Sequence, residues 1–301
     1  MVSRRAGQLA REAVEWAAAR VDLQLRLLHA IRTYWTFSGA ELRDWLESAL
    51  SRAGDLPPIV RARALAGVAE AAGEMGDFEG ALAYHEEAVA TYRSVGDDEG
   101  VARSLVGLGR DLEYLGRPTE AREMYEEGLR TARRAPSSPV IVGASASLAL
   151  LSLEEGDFEN AVRFAADVEE IDAWRGFARR VSGLVALKRD DSAKAARLLS
   201  ESLAFYYELG YEPSVPFSLE ALAAAFAACG DVERAAVLIG HSEALRDSLG
   251  FKPDRYSRGL REKVVEAAQR DLGDDAYRAA TARGASLSVD EAVAYALASI
   301  D

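Results

Sequence analysis

Apolar residues recur at intervals of three and four along the middle of the chain, the spacing that places them on one face of an α-helix. Two stretches with this spacing contain Leu65, Val68, Ala69 and Ala72, and then Leu105, Leu108, Gly109 and Leu112. Polar and charged residues fill the positions between them. The pattern predicts a series of amphipathic helices, each packed through one face.

A short turn-like motif separates these stretches and recurs along the chain. Its copies, the fourth of them degenerate, occupy residues 76–81, 116–121, 156–161, 190–195 and 230–235, so that successive copies begin 40, 40, 34 and 40 residues apart. Gly39, 37 residues before Gly76, resembles a poorly matching earlier turn. A supersecondary unit repeated at this interval is typical of a helical solenoid.

The residue types within the motif predict its conformation. A glycine ends one helix in the left-handed conformation, and an aspartate after it caps the next helix. The alanine five residues after the start of each copy allows two antiparallel helices to approach closely. We therefore predict an all-α protein, a curved superhelix of antiparallel helix hairpins, with at least about 65% helix and no β-sheet.

The two flanks differ from the repeats, and we expect both to be helical caps. Residues 4–53 contain three predicted helices and five aromatic residues: Trp16, Tyr34, Trp35, Phe37 and Trp45. The segment 54–58 ends in two prolines and breaks the helical pattern. The chain after 251–253 predicts three more helices, the last opening with a capping box of Ser288 and Glu291. The predicted parts are 1–57, 58–250 with about five hairpins, and 251–301.

Composition and charge support the all-α prediction and exclude several classes of function. Alanine, the strongest helix former, accounts for 57 of the 301 residues. The net charge of −13 argues against direct binding of nucleic acid, which needs a basic surface. A single cysteine, Cys229, excludes an internal disulfide and is typical of a cytoplasmic protein. No apolar stretch is long enough to span a membrane.

The repeated unit resembles the tetratricopeptide repeat. The segment 104–109, followed by Gly116 and by residues 121–129, is similar to its consensus, with Leu105 at the position of the first-helix aromatic residue. Ser145 and Arg179 replace large apolar residues in later copies. The resemblance extends over about residues 58–250 and implies a binding module without catalytic activity.

A wider set of motifs resembles the C-terminal repeat half of large bacterial signal-transduction ATPases, including LuxR-type regulators and antibiotic regulatory proteins. These motifs are residues 46–50, 54–58, 61–65, 243–246 and 287–296. The sequence contains neither a nucleotide-binding nor a DNA-binding half. The resemblance therefore implies the sensor part of a regulator, whose ATPase or DNA-binding domain is absent from this chain, or a stand-alone descendant.

The first helices of the hairpins are expected to line a concave groove, and equivalent offsets from successive turns identify the residues that face it. The predicted groove residues are Arg63, Glu70, Arg103, Arg110, Glu113, Tyr114, Arg180, Phe217 and Glu220. Paired guanidinium groups bind carboxylates or phosphates, although these arginines could equally pair with neighbouring glutamates. A second candidate cluster, residues 174–177 with Arg179 and Arg180, has the mix of aromatic and cationic side chains that is typical of binding hot spots, although Trp174 could equally be a packed core residue.

No motif for catalysis, a cofactor or a metal stands out. There is no phosphate-binding P-loop, and His29, His85 and His241 are far apart in sequence. Ser242 lies in a segment that superficially resembles a nucleophile elbow, but the predicted context is the inside of a helix. Paired glutamates, such as Glu86 and Glu87, suit a solvated surface better than acid–base chemistry. We expect no enzyme activity, no metal and no cofactor.

Three functions remain open. The leading hypothesis is a cytoplasmic sensor or interaction module of a bacterial regulator that binds a peptide, a protein or a small effector in its groove. The alternatives are an assembly scaffold without a small ligand and, less favoured, an enzyme with an active site in the groove. A closed pocket with converging polar groups would favour a small effector, whereas an open channel would favour a peptide or protein.

Overall fold

The structure of the chain is a computed structural model that describes residues 4–31, 39–134, 138–169, 171, 174–250 and 255–298. Helices make up 88% of the described residues, which contain no strand. The all-α prediction is confirmed. Tyr34, Trp35, Phe37 and the 251–253 break lie outside the described residues.

The helices fall into two compact units, residues 1–147 and 148–301. Unit 1 contains α1 (Arg4–Trp16), α2 (Val21–Ile31), α3 (Gly39–Arg52), α4 (Pro58–Met75), α5 (Phe78–Val95), α6 (Asp98–Tyr114) and α7 (Pro118–Arg134). The boundary lies within α8 (Ser138–Glu155). Unit 2 contains α9 (Phe158–Ala166), α10 (Arg175–Lys188), α11 (Ser192–Glu208), α12 (Val215–Ala228), α13 (Val232–Leu249), α14 (Arg255–Leu272), α15 (Asp274–Ser286) and α16 (Val289–Leu297). The division at residues 57 and 250 stays a prediction.

The turns within the hairpins have the geometry that the motif predicts. Gly76 has a φ of 86° and ends α4, and the Asp77 carboxylate accepts a hydrogen bond from the backbone N–H of Gly80 in the first turn of α5. The same pairing of a left-handed glycine and a capping aspartate occurs at residues 156–157 and 230–231. In the degenerate copy, Asp190 takes the left-handed conformation itself, with a φ of 59°.

Two turns differ from the sequence expectation. Gly96 and Asp97 form the same glycine–aspartate turn between α5 and α6, so this type of turn also joins one hairpin to the next. This turn lies between the copies of the motif that recur at intervals of 34–40 residues. Gly39 does not have positive φ and is the first residue of α3, so it is not a left-handed helix cap of this kind.

Helix pairs pack as antiparallel hairpins within each unit. In unit 1, α4 packs on α5 and α6 packs on α7, while α5 contacts α6. In unit 2, α10 packs on α11 and α12 packs on α13, and the C-terminal helices α14 and α15 cover α12 and α13. The Ser288–Glu291 capping box at the start of α16 is present as predicted.

The alanine of each turn motif lies where the helices meet. The side chains of Ala81, Ala121, Ala161 and Ala235 have no exposed surface. In the α6–α7 hairpin, a Cβ added to Gly109 would come within 3.1 Å of the Ala121 carbonyl oxygen, so the two backbones are almost in contact. Small residues on both helices therefore set the distance between them.

Replacing Ala121 by leucine should destabilise the protein, because the larger side chain has no space between α6 and α7. We expect the free energy of unfolding to fall by about 1–3 kcal/mol, as overpacked cores show. Chemical denaturation would measure it, with Ala90→Leu, at an exposed position of α5, as the matched control. Equal midpoints for Ala121→Leu and the wild type would contradict the proposed helix contact.

Candidate partner-binding surfaces

Three predicted groove arginines of unit 1 are exposed on the first helices of their hairpins. Arg63 on α4 forms no ion pair within the described part of the chain. Arg103 on α6 pairs with Glu99 one turn earlier, with Nη2 2.5 Å from Oε1. Arg110 lies farther along α6, and its Nε is 3.8 Å from Asp111 Oδ1. The partner of Arg103 is thus neither Glu70 nor Glu113, and all three guanidinium groups reach solvent.

The other predicted residues of unit 1 contact their surroundings more closely. Tyr114 stacks on Phe78 of α5 with ring centroids 4.5 Å apart, yet 37% of its surface remains exposed. Glu113 accepts a hydrogen bond from the hydroxyl of Tyr125, which is fully buried. Glu70 is half-buried and also has interactions with its neighbours. These residues therefore combine structural contacts with a partly open surface.

A buried acid lies directly beneath Arg110, and the sequence analysis missed it. Asp111 has no exposed surface, and its Oδ2 is 3.5 Å from Nε2 of the buried His85 on α5. Burial raises the pKa of Asp111 to about 6, although the charge of Arg110 acts in the opposite direction. Gly107 makes room for the pair, since a Cβ there would lie 2.5 Å from His85 Nε2. Two glycines in α6, at 107 and 109, were the available sequence signal.

In unit 2, Arg180 is held between two phenylalanine rings. Its guanidinium carbon lies 5.3 Å from the centroid of Phe177 and 5.4 Å from that of Phe217. Only 7% of the residue is exposed, and no carboxylate of the described residues pairs with it. Trp174 extends the aromatic cluster through an edge contact with Phe177 at 5.6 Å. Sequence analysis singled out these residues, and the structure brings them together.

Glu220 and Ser242 belong to an internal polar cluster. Glu220, on α12, is fully buried and accepts hydrogen bonds from Arg246 and from the hydroxyl of Ser242, the latter at 3.0 Å. Burial raises the pKa of Glu220, and the Arg246 charge opposes that shift. Phe217 is half-buried, and its ring also contacts Arg246, at 5.7 Å. Glu220 thus neutralises Arg246 inside the unit, whereas Arg180 beside it has no such partner.

Ser242 has no catalytic neighbour in this cluster. It lies within α13, hydrogen-bonded to Glu220 and to the carbonyl of Pro216.

The described residues contain no group of three or more histidine, cysteine or acidic side chains arranged to hold a metal ion. Among those same residues, no helix is both long and apolar enough to cross a membrane.

Comparison with known families identifies the repeats of unit 1. Residues 60–134, which contain α5, α6 and α7 and most of α4, match the family model of the tetratricopeptide repeat. The match confirms the resemblance noted in the sequence for this stretch. A module of this kind indicates a protein-interaction function, and such modules are typically non-catalytic.

Curated relatives agree with the second resemblance. A stretch of 161 residues is 32% identical to proteins of Mycobacterium bovis and Mycobacterium tuberculosis that are both described as "Putative HTH-type transcriptional regulator". The match covers 50% of this chain but only 17% of each regulator. The chain is thus similar to a small part of proteins that are much longer.

A solved structure supports the fold alone. The chain is similar to one described as "Podosopora anserina putative kinesin light chain nearly identical TPR-like repeats", with a TM-score of 0.50 and 21% identity. The alignment covers 65% of this chain and 99% of that one. At this level of identity the likeness extends to the helical-repeat architecture and not to partners.

Replacing Asp111 by asparagine should flatten the dependence of stability on pH. The folded pKa of about 6 lies above the ordinary value of 3.8, so the folded protein binds this proton more tightly than the unfolded chain does. Stability should therefore fall as the pH rises between those values, by on the order of 3 kcal/mol for this group. Asparagine cannot ionise, so the unfolding free energy of the variant should rise relative to that of the wild type by this amount between pH 4 and pH 7.

Denaturant unfolding at several pH values would measure this difference. Asp44→Asn, which alters an exposed carboxylate on α3, is the control and should follow the wild-type curve. Parallel curves for Asp111→Asn and the wild type would show that Asp111 keeps an ordinary pKa.

Replacing Arg246 by methionine should leave the Glu220 carboxylate buried without its cation. Breaking such a pair costs about 3–5 kcal/mol of unfolding free energy. The double variant Glu220→Gln with Arg246→Met should recover much of that loss, because no buried charge remains. The loss should also be smaller at pH 5 than at pH 7, since burial already favours the protonated acid. A single variant as stable as the double one would contradict the coupling.

Proposed function

We propose that this chain is a non-catalytic, cytoplasmic binding module that captures an acidic segment of a protein partner and acts as the sensing part of a bacterial transcriptional regulator. The repeat match supports a protein-interaction function, and the similarity to mycobacterial regulators over half the chain supports the regulatory setting. The output would be a shift between two states of the regulator, driven by a difference in partner affinity.

The environment of Arg180 is the observation on which the proposal depends. Arg180 as a whole residue is 7% exposed, and an arginine buried to this extent usually has a carboxylate partner, because burying a charge without one is costly. Arg180 instead lies against the rings of Phe177 and Phe217, whose π electrons stabilise the cation. These rings do not accept the hydrogen bonds that the guanidinium N–H groups donate within their own plane. An acidic side chain or a C-terminal carboxylate of a partner would supply the missing acceptor.

The exposed arginines of unit 1, considered by themselves, form another surface that suits an acidic segment. Arg63 has no ionic partner among the described residues, and Arg103 has only an exposed pairing with Glu99, which is weak in water. Tyr114 adds a rigid ring that is partly exposed. Local positive charge of this kind can attract an anionic segment even to a protein with a net charge of −13.

An array of acidic peptides, each paired with a copy that carries glutamine and asparagine instead, would test this function with the purified 301-residue chain. We expect saturable binding of acidic members and no binding of their neutral copies. Arg180→Met should weaken binding at least about tenfold, because hydrogen-bonded charge pairs contribute roughly 1.5–3 kcal/mol. Arg270→Met, which removes an exposed charge from α14, is the matched control.

Arg180→Lys separates charge from geometry, since lysine keeps the charge without the planar fork. Its affinity should fall between that of the wild type and that of Arg180→Met, with thermal unfolding confirming that each variant is folded. Equal binding of acidic peptides and neutral copies would instead favour an assembly scaffold. Acidic binding that is unchanged in Arg180→Met would remove Arg180 from the site.

A further inference from the structure

A cleft in unit 2 collects positive charge away from the residues discussed so far. It has a volume of about 450 Å³ and lies between the end of α8, the end of α10 and the first two turns of α14. Its lining includes Lys188, Arg258 and Lys263, which are exposed at the rim, and the buried residues Leu153 and Tyr256. A concave site with an apolar floor and a few converging polar groups is the usual form of a small-molecule site.

The positive charge of this cleft stands out against the composition of the chain. The sequence contains four lysines, Lys188, Lys194, Lys252 and Lys263, and two of them line this one cleft. These two come from different helices, α10 and α14, and are 75 residues apart in sequence. Only the packing of unit 2 brings them together.

The two lysines of the cleft are close enough for their charges to repel each other. Neither Lys188 nor Lys263 forms an ion pair within the described part of the chain. Burial, and after it the charge of Lys263, lower the pKa of Lys188. The lining also carries Glu154 and Glu262, so the described residues contribute three positive and two negative side chains to the cleft. Neither glutamate forms an ion pair with Lys188 or Lys263. A bound anion would therefore relieve the repulsion between the two lysines.

We propose that this cleft binds a small dianion, a phosphorylated or dicarboxylic compound, through Lys188 and Lys263. The two ammonium groups hold the anionic group at the rim, and Leu153 and Tyr256 contact the less polar remainder of the compound. The volume suits a small metabolite and is too small for a folded partner. The site is separate from Arg180 and does not depend on the peptide-binding function.

Isothermal titration calorimetry with pyrophosphate and, separately, with succinate would test the proposal on the full chain at an ionic strength of about 0.15 M, where weak surface attraction is screened. We expect saturable binding of at least one anion. Pyrophosphate alone would identify a phosphoryl ligand, succinate alone a dicarboxylate, and either result supports the site. Absence of saturable binding by both anions would overturn it.

Matched variants locate the binding. Lys188→Gln and Lys263→Gln should each weaken it at least about tenfold, as expected for loss of a charged hydrogen bond. Lys194→Gln, which removes the same charge from an exposed position of α11, should change it less than about twofold. Glu262→Gln should strengthen binding, because it removes a negative charge from the lining. Equal losses in all three lysine variants would overturn the assignment to this cleft.

Discussion

A left-handed residue followed by a capping aspartate constrains four of the hairpin turns, with glycine at residues 76, 156 and 230 and Asp190 in the degenerate copy. At the fifth turn the left-handed Gly116 precedes Arg117 instead. The glycine ends a helix because its positive φ breaks the hydrogen-bond ladder, and only glycine adopts it without steric cost. The aspartate then satisfies an N–H of the next helix, as Asp77 does for Gly80. The chain reverses within two residues, so the next helix must run back along the first. The contacts between the two helices of each hairpin depend on that antiparallel pairing.

Close pairing also determines where large side chains can go. Where α6 passes its neighbours, Gly107 leaves space for the His85 ring, and Gly109 leaves space for the Tyr125 ring. A Cβ at either glycine would come within 2.7 Å of those rings. The space that these glycines create is therefore filled by side chains with polar atoms rather than by aliphatic ones. This is how an acid such as Asp111 comes to be buried beside a histidine.

Local chemistry could be predicted from the sequence, whereas pairing across helices could not. The turn at Gly76, the capping box at Ser288 and the helical periodicity each depend on a few neighbouring residues, and all three are present. The burial of Glu220 depends on Arg246, 26 residues away on another helix, and no local pattern records that contact. Equal offsets from the turns predict that Arg180 and Glu220 both line the groove. In the structure Arg180 contacts two phenylalanine rings, whereas Glu220 pairs with Arg246 inside the unit.

Arg246, Arg179 and Arg180 show how the surroundings decide what the same side chain can do. Arg246 is buried against Glu220, so its charge is neutralised and serves stability. Arg179 meets Glu201 at 3.6 Å in a more exposed setting, where an ion pair contributes little. Arg180 is 7% exposed in the folded protein, and its guanidinium carbon lies 5.3 Å and 5.4 Å from the ring centroids of Phe177 and Phe217. An incoming carboxylate would meet a cation whose position the two rings already restrict, so less of the binding energy would be lost in ordering it. Of these three arginines, Arg180 is the one without a carboxylate partner among the described residues.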